Sequence, residues 1–284
     1  MRPVLNSGMR QSTSIGSRPL SYLASRSQSD KHLIFIHGWG GSAQYFADAL
    51  TALSDTFVGY APDLPGFGQS TPLNNDNHSD ELPYSHRGLA RIMIQFMDAL
   101  DIRQCDVVGH SYGCGVAIAL AAMLPQRVGR IVLSNFSTFR DERERRVVSM
   151  MHHVTGLMML ARKMPFARTD TFARSFGTRY FHQLPDDPHV LRGCVTDFLG
   201  MDEVAARLTV RDSLGWETLH DMKTLTQPVL SIQCRQDQIM PTRNAEFTAS
   251  LPPHGELAWI DNCGHLPMIE QPAEWLRLIR RFLC

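Results

Sequence analysis

No stretch of this 284-residue chain approaches the roughly 18 consecutive apolar residues that a membrane-spanning helix needs. Its opening residues, MRPVLNSGMRQSTSIGSRPL, hold no apolar segment of the kind that marks a secretory signal. Charge of one sign is also missing: 28 Lys and Arg balance 28 Asp and Glu. A nucleic-acid partner normally leaves a basic excess, so none is expected. The six cysteines, at 105, 114, 194, 234, 263 and 284, form no C-x-x-C pair and no Cys/His spacing suited to zinc. Several lie in or beside apolar runs, so buried free thiols are expected rather than disulfides. Together these absences predict a cytoplasmic chain with neither metal nor cofactor. What the chain does have is 43% hydrophobic residues, enough for one sizeable core.

The first ten or so residues carry little periodic signal and are expected to be loosely ordered. STSIG and LSYLAS, around SRP, read as a short hairpin. HLIFIHG (32–38) reads as a buried strand running into the loop GWGGS, AQYFADALTAL has helical spacing, and FVGYAP begins a second strand. After the polar stretch 72–86, RGLARIMIQFMDAL is an amphipathic helix. CDVVGHSYGCGVAIALAAMLP then reads as strand, tight turn and helix, and RIVLSN as a further strand. Strands cease from about 136 to 211 and resume with PVLSIQC and ELAWID before the closing helix PAEWLRLIRRFL. Strands alternating with helices predict an α/β fold with a mostly parallel central sheet flanked by helices. Residues 136–211 read as a helical insertion, and 1–135 with 212–284 as the core.

GHSYG (109–113) places Ser111 between two glycines. Glycine frequency alone would put such a string in about one chain in ten of this length. The flanks give it meaning, because a strand enters and a helix leaves. Ser111 is thus a candidate nucleophile on a strained turn, rather than part of an inert turn of small residues. A serine hydroxyl needs a base. Of twelve histidines, His265 in DNCGHLPMIEQP follows the last strand, at the end of the sheet where active residues gather. His32 and His37 flank a strand, and His110 is expected to point away from the Ser111 side chain. The others lie in polar stretches or the insertion. The base needs a buried acid to orient it. Asp237 in CRQDQIMP follows an apolar strand and is favoured over Asp141, which sits in the charged run RDERERR. Asp261 stands too close to His265 in the same loop. Oxyanion donors are expected from the backbone N–H groups of Tyr112 and Trp39, with His37, Gly38 and Gly40 shaping the supporting loop.

These segments resemble the α/β-hydrolase superfamily. HGWGGS looks like its oxyanion loop, PDLPGFGQS (62–70) its D-x-P-G-x-G-x-S loop, GHSYG its nucleophile elbow, and RQDQIMP and CGHLPMIEQP its acid and histidine segments. The likeness spans about residues 12–284. It implies the α/β-hydrolase fold with a helical cap after strand 6, and a triad of Ser111, Asp237 and His265 in that chain order. Asp63 and the glycines of PGFG read as structural. A serine at the elbow argues against haloalkane dehalogenases, which use an aspartate there. The motif does not choose among esterases, thioesterases, lactonases, C–C hydrolases or slow ligand receptors. Cleavage of small to medium carboxylic esters is the leading expectation, with a small-molecule ester or acyl substrate as partner, no nucleic acid, and no sequence feature that indicates a membrane or fixes an oligomeric state. In the insertion, Met150, Met151, Met158, Met159 and Met164 suggest either cap core or an adaptable acyl pocket. Between 139 and 182, nine basic residues face four acidic ones. That excess suits an anionic substrate or a lipid surface or, more simply, a solvated face with local ion pairs.

Overall fold

The protein's structure, a computed structural model, describes residues 9–73, 83–146, 162, 164–213 and 215–284. Eight strands form one sheet in the order β1-β2-β4-β3-β5-β6-β7-β8. They are β1 (Met9–Ile15), β2 (Arg18–Ala24), β3 (His32–Ile36), β4 (Val58–Pro62), β5 (Cys105–His110), β6 (Val128–Ser134), β7 (Val229–Cys234) and β8 (Gly255–Ile260). The pairings of β1 with β2 and β2 with β4 are antiparallel, and all others are parallel. Central strands such as β3 (HLIFI) and β7 (VLSIQC) are mostly apolar because both faces are covered. The edge strand β8 (GELAWI) is half-buried instead.

The hairpin is longer than its sequence signal. Met9 and Arg10, expected to be loosely ordered, pair within β1, and Arg10 Nη1 reaches the buried Asp63 Oδ2 at 2.6 Å. The segment AQYFADALTAL opens with a 3-10 turn over Ala43–Phe46 and leaves only a short helix, α1 (Ala47–Ala52). Helix α2 (His86–Ala99) starts at Ser85, whose hydroxyl accepts from Gly88 N. Helix α3 (Tyr112–Met123) is apolar on every side because it is enclosed between the sheet and α2.

From β3 the chain steps outward to β4, then crosses back to place β5 on the other side of β3. The loops after β3 and β5 therefore diverge and leave a crevice at the carboxyl end of the sheet. Between β6 and β7 come α4 (Asp170–Tyr180), α5 (Pro188–Gly200) and α6 (Glu203–Asp212), followed by α7 (Glu217–Thr224), which packs on α3. Polar tethers tie this insertion to the crevice. Trp39 Nε1 donates to Ala206 O (3.1 Å), Ser42 Oγ to Asp197 Oδ2 (2.7 Å) and Asp202 N to Gly66 O (2.7 Å). Met150, Met151, Met158 and Met159 lie outside the described residues, and Met164 is exposed. The basic excess is in part a face with local ion pairs: Arg145 and Arg146 both meet Glu142. No helix among the described residues is long and apolar enough to cross a membrane.

Candidate active site

Strand β5 ends at His110 and α3 begins at Tyr112, so Ser111 takes the whole turn alone, at φ 50° and ψ −121°. That left-handed backbone is costly for a residue with a side chain, about 1–3 kcal/mol, and marks sites where function holds strain in place. The turn is possible because its flanks are bare. A Cβ on Gly109 would come within 2.6 Å of Cys114 Cα, and one on Gly113 would overlap the Ile36 carbonyl. Ser111 N still donates to Ser134 O (2.9 Å), and its carbonyl accepts the first helical bond from Cys114 N (2.9 Å).

Asp237 and His265, 28 residues apart, meet at 2.8 Å between Oδ2 and Nδ1, both buried. The carboxylate can only accept, so Nδ1 carries the proton and Nε2 is left as the free base. Burial alone would raise the Asp237 pKa, but His265, the Asn135 amide and Met240 N–H outweigh it and hold the carboxyl below its ordinary value. Asn135 Nδ2 donates to Oδ2 at 2.8 Å, while Ile239 N (2.7 Å) and Met240 N (3.0 Å) donate to Oδ1. The competing acids are elsewhere. Asp141 accepts from Glu144 N at the exposed start of the helical residues 142–146, and Asp261 pairs with Arg235.

Gly38 joins serine and histidine: a Cβ built on it would lie 2.9 Å from Ser111 Cβ, and with His265 it lines one narrow cavity. Ser111 Oγ makes no hydrogen bond to His265, a bond that in unliganded sites often tightens only once substrate is present. Among the described residues neither Trp39 N–H nor Tyr112 N–H, a first-turn donor of α3, has a hydrogen-bond acceptor, so both are candidates to receive an oxyanion. His37 is buried beneath them. Its Nε2 accepts from Leu64 N (2.9 Å), leaving Nδ1 to donate to Gly38 O (2.8 Å). Burial lowers its pKa, so it stays neutral and braces the loop. Asp63 ties the same loop to the PGFG segment by accepting from Ala43 N (2.7 Å) and Gln69 N (3.0 Å).

His110 packs against His265. Its ring lies 4.9 Å from that of His265 and lines the same cavity, and its Nε2 donates to His265 O at 2.8 Å. Burial, then the neighbouring His265, push its pKa to about 3, so it is a neutral prop and not a second base. His86, assigned to a polar stretch, is buried against Tyr112, with its pKa likewise lowered to about 3 by burial. Sequence reading also passed over Asn135 and Glu270. Glu270 accepts from Gly264 N (2.7 Å) and Gln183 N (2.7 Å), which binds the histidine loop to the insertion. Tyr180 O accepts from His265 N (2.6 Å) at the same seam. Among the described residues, no three His, Cys, Asp or Glu side chains cluster as a metal would require.

A family model described as "alpha/beta hydrolase fold" matches residues 31–272. The chain is 28% identical over 223 residues to a 2-hydroxymuconate semialdehyde hydrolase of Pseudomonas putida, covering 78% of this chain and 75% of that protein. It is 25% identical over 252 residues to a poly(3-hydroxyalkanoate) depolymerase of Ectopseudomonas oleovorans, covering 88% and 83%. Its fold matches that of a meta-cleavage product hydrolase from Pseudomonas fluorescens IP01, with a TM-score of 0.74 and 23% identity over 98% of this chain and 97% of that one.

Proposed function

This chain belongs to the α/β-hydrolase family, and we propose that within it the protein is a serine hydrolase cleaving carboxylic esters of small to medium acyl groups. The observation that carries this reading is the buried 2.8 Å pair of Asp237 and His265, set at the same end of the sheet as a strained Ser111. In this reading His265 Nε2 takes the hydroxyl proton as Ser111 Oγ attacks the ester carbonyl. Asp237 keeps the proton on Nδ1 and offsets the positive charge that develops on the ring. The N–H groups of Trp39 and Tyr112 hold the oxyanion, fixed in place before reaction by the Trp39–Ala206 tether and the start of α3. His265 then hands its proton to the leaving alkoxide. Water, deprotonated by the same nitrogen, attacks the acyl-serine, and collapse returns the acid and free Ser111.

Residues 136–211 act as a cap over this site, and 1–135 with 212–284 as the catalytic core. The unpaired cysteines suit a cytoplasmic setting. The semialdehyde hydrolase relative favours one second reading, cleavage of a C–C bond beside a ketone by the same residues. Fluorophosphonate labelling of wild type and Ser111→Ala, with a p-nitrophenyl ester chain-length series, tests the first. Labelling and turnover confined to wild type support it. Labelling without sustained ester turnover would move the C–C reading ahead, and no labelling would remove Ser111 as nucleophile.

A further inference from the structure

The cavity beside His265 is walled by rings. Trp39, Tyr45, Phe176, Tyr180 and Phe198 line it with His265, and it holds about 350 Å³ of empty space counting its open mouth. It is a slot more than a chamber, since little of it admits a water-sized sphere. Two of these rings, Phe176 and Tyr180, belong to a longer ladder that runs on beyond the cavity. Phe172, Phe176 and Tyr180 recur every four residues along α4 and so share one face. Phe172 stacks on Phe176 at 6.2 Å and 28°, and Phe176 on Tyr180 at 4.6 Å and 25°. The ladder starts at the exposed Phe166, 5.7 Å from Phe172, and ends at His265, 6.0 Å from Tyr180. The facing wall is Phe198, which meets Phe176 at 5.0 Å and Trp39 at 5.8 Å. Phe172, Phe176 and Tyr180 are each only half-buried, whereas rings serving purely as core are closed over.

We infer that this slot seats a flat, unsaturated acyl group, such as an aryl or conjugated enoyl group, in preference to a flexible or puckered saturated one. The inference rests on the serine-hydrolase reading only for which bond is cut. Parallel rings offer a planar guest offset-stacked and edge contacts, which a saturated ring of equal size cannot match. Phe166 and Phe172 mark the approach, leading from the surface inward.

The test pairs benzoyl with cyclohexanecarbonyl, equal in carbon count and differing in flatness. The ratio of kcat/KM for their p-nitrophenyl esters is measured in wild type, Phe176→Leu and Phe176→Tyr. In parallel, benzoate and cyclohexanecarboxylate are titrated against Ser111→Ala by ligand-observed NMR. The ratio should fall by about 3- to 10-fold in Phe176→Leu, the scale of one aromatic contact, and be kept in Phe176→Tyr. Benzoate should bind Ser111→Ala several-fold more tightly. Equal ratios in all three proteins, or equal binding of the two acids, would overturn the inference. Preferential benzoate binding with no ester turnover would defeat the esterase reading and leave the slot's selectivity standing.

Discussion

A methyl group on Gly38 would lie 2.9 Å from both Ser111 Cβ and His110 Nδ1. Neither neighbour can retreat, because Ser111 is held by β6 and α3 and His110 by the His265 carbonyl. Gly38→Ala should therefore displace the nucleophile by a fraction of an ångström and lower kcat by about 10- to 100-fold. Stopped-flow acylation alongside circular dichroism checks it, and an unchanged acylation rate would show the loop yielding instead. Asn135 allows a prediction with a definite sign. The Asp237 carboxyl sits below its ordinary 3.8, so its stabilisation is present above that pH and is lost as pH falls through the depressed value. Asn135→Ala removes one donor and raises the folded pKa toward the unfolded one. The variant should be less stable by about 1–3 kcal/mol at pH 7, with the part of the gap owed to Asp237's charge closing at low pH; thermal melts across the acid range read this out. The placement of Ser111, Asp237 and His265 just beyond strand ends was legible because each stands in a loop punctuated by glycine or proline after an apolar strand. Asn135 and His110 were not. Their partners lie 102 and 155 residues away, and no local pattern reports which carbonyl or carboxylate the fold will bring to them.

At the scale of elements, the join between α5 and the oxyanion loop is a half-buried carboxylate. Asp197 accepts from Ser42 Oγ at 2.7 Å, and burial, then the nearby Asp63, raise its pKa to about 6 against the pull of Ser42 and Arg10. A raised acid loses stability as pH climbs. The unfolded chain releases this proton near 3.8 while the folded one holds it until about 6, so stability falls between those values and stays lower above them. Asp197→Asn keeps an acceptor for Ser42 and removes the charge. It should stabilise the protein by about 1–3 kcal/mol at pH 8 and by nothing at pH 3.5. Urea midpoints at the two pH values decide it, and equal gains at both would mean that the charge is irrelevant. Elements themselves were readable where burial dictates composition, as in β3, β5 and β7, whose apolar runs end at turn residues. The start of β1 was not, because an edge strand facing solvent needs no apolar run and its burial pattern is mostly exposed. Nor was the shortness of α1, since its apolar spacing also fits the 3-10 turn that Ser42 caps.

Over the whole molecule, the cysteines act as built-in reporters of how the structure opens. Cys105, Cys114, Cys234 and Cys263 are buried around the sheet, Cys194 is buried on α5 in the insertion, and Cys284 is exposed at the end of the chain. Burial raises the thiol pKa of Cys105 to about 12 and of Cys194 to about 11, so thiolate is scarce until water reaches them. A disulfide reagent at neutral pH should thus consume one thiol at once, and Cys284→Ser should abolish that phase. The order of the remaining five tests how the molecule is divided. The sheet strands are bound along their length by a hydrogen-bonded ladder, whereas α5 and α6 meet the core through polar tethers at Ser42, Trp39 and Gly66 and through the apolar contacts of Leu191, Cys194, Phe198, Met201, Ala205 and Ala206. Regions outside such a ladder can open below the global unfolding free energy. Cys194 should consequently react next, with a rate that Ser42→Ala accelerates, and the four sheet cysteines should follow together at the rate of global unfolding. If Cys194 reacts with those four instead, insertion and sheet form one cooperative unit, and substrate must reach His265 through the mouth of the slot without the insertion lifting away.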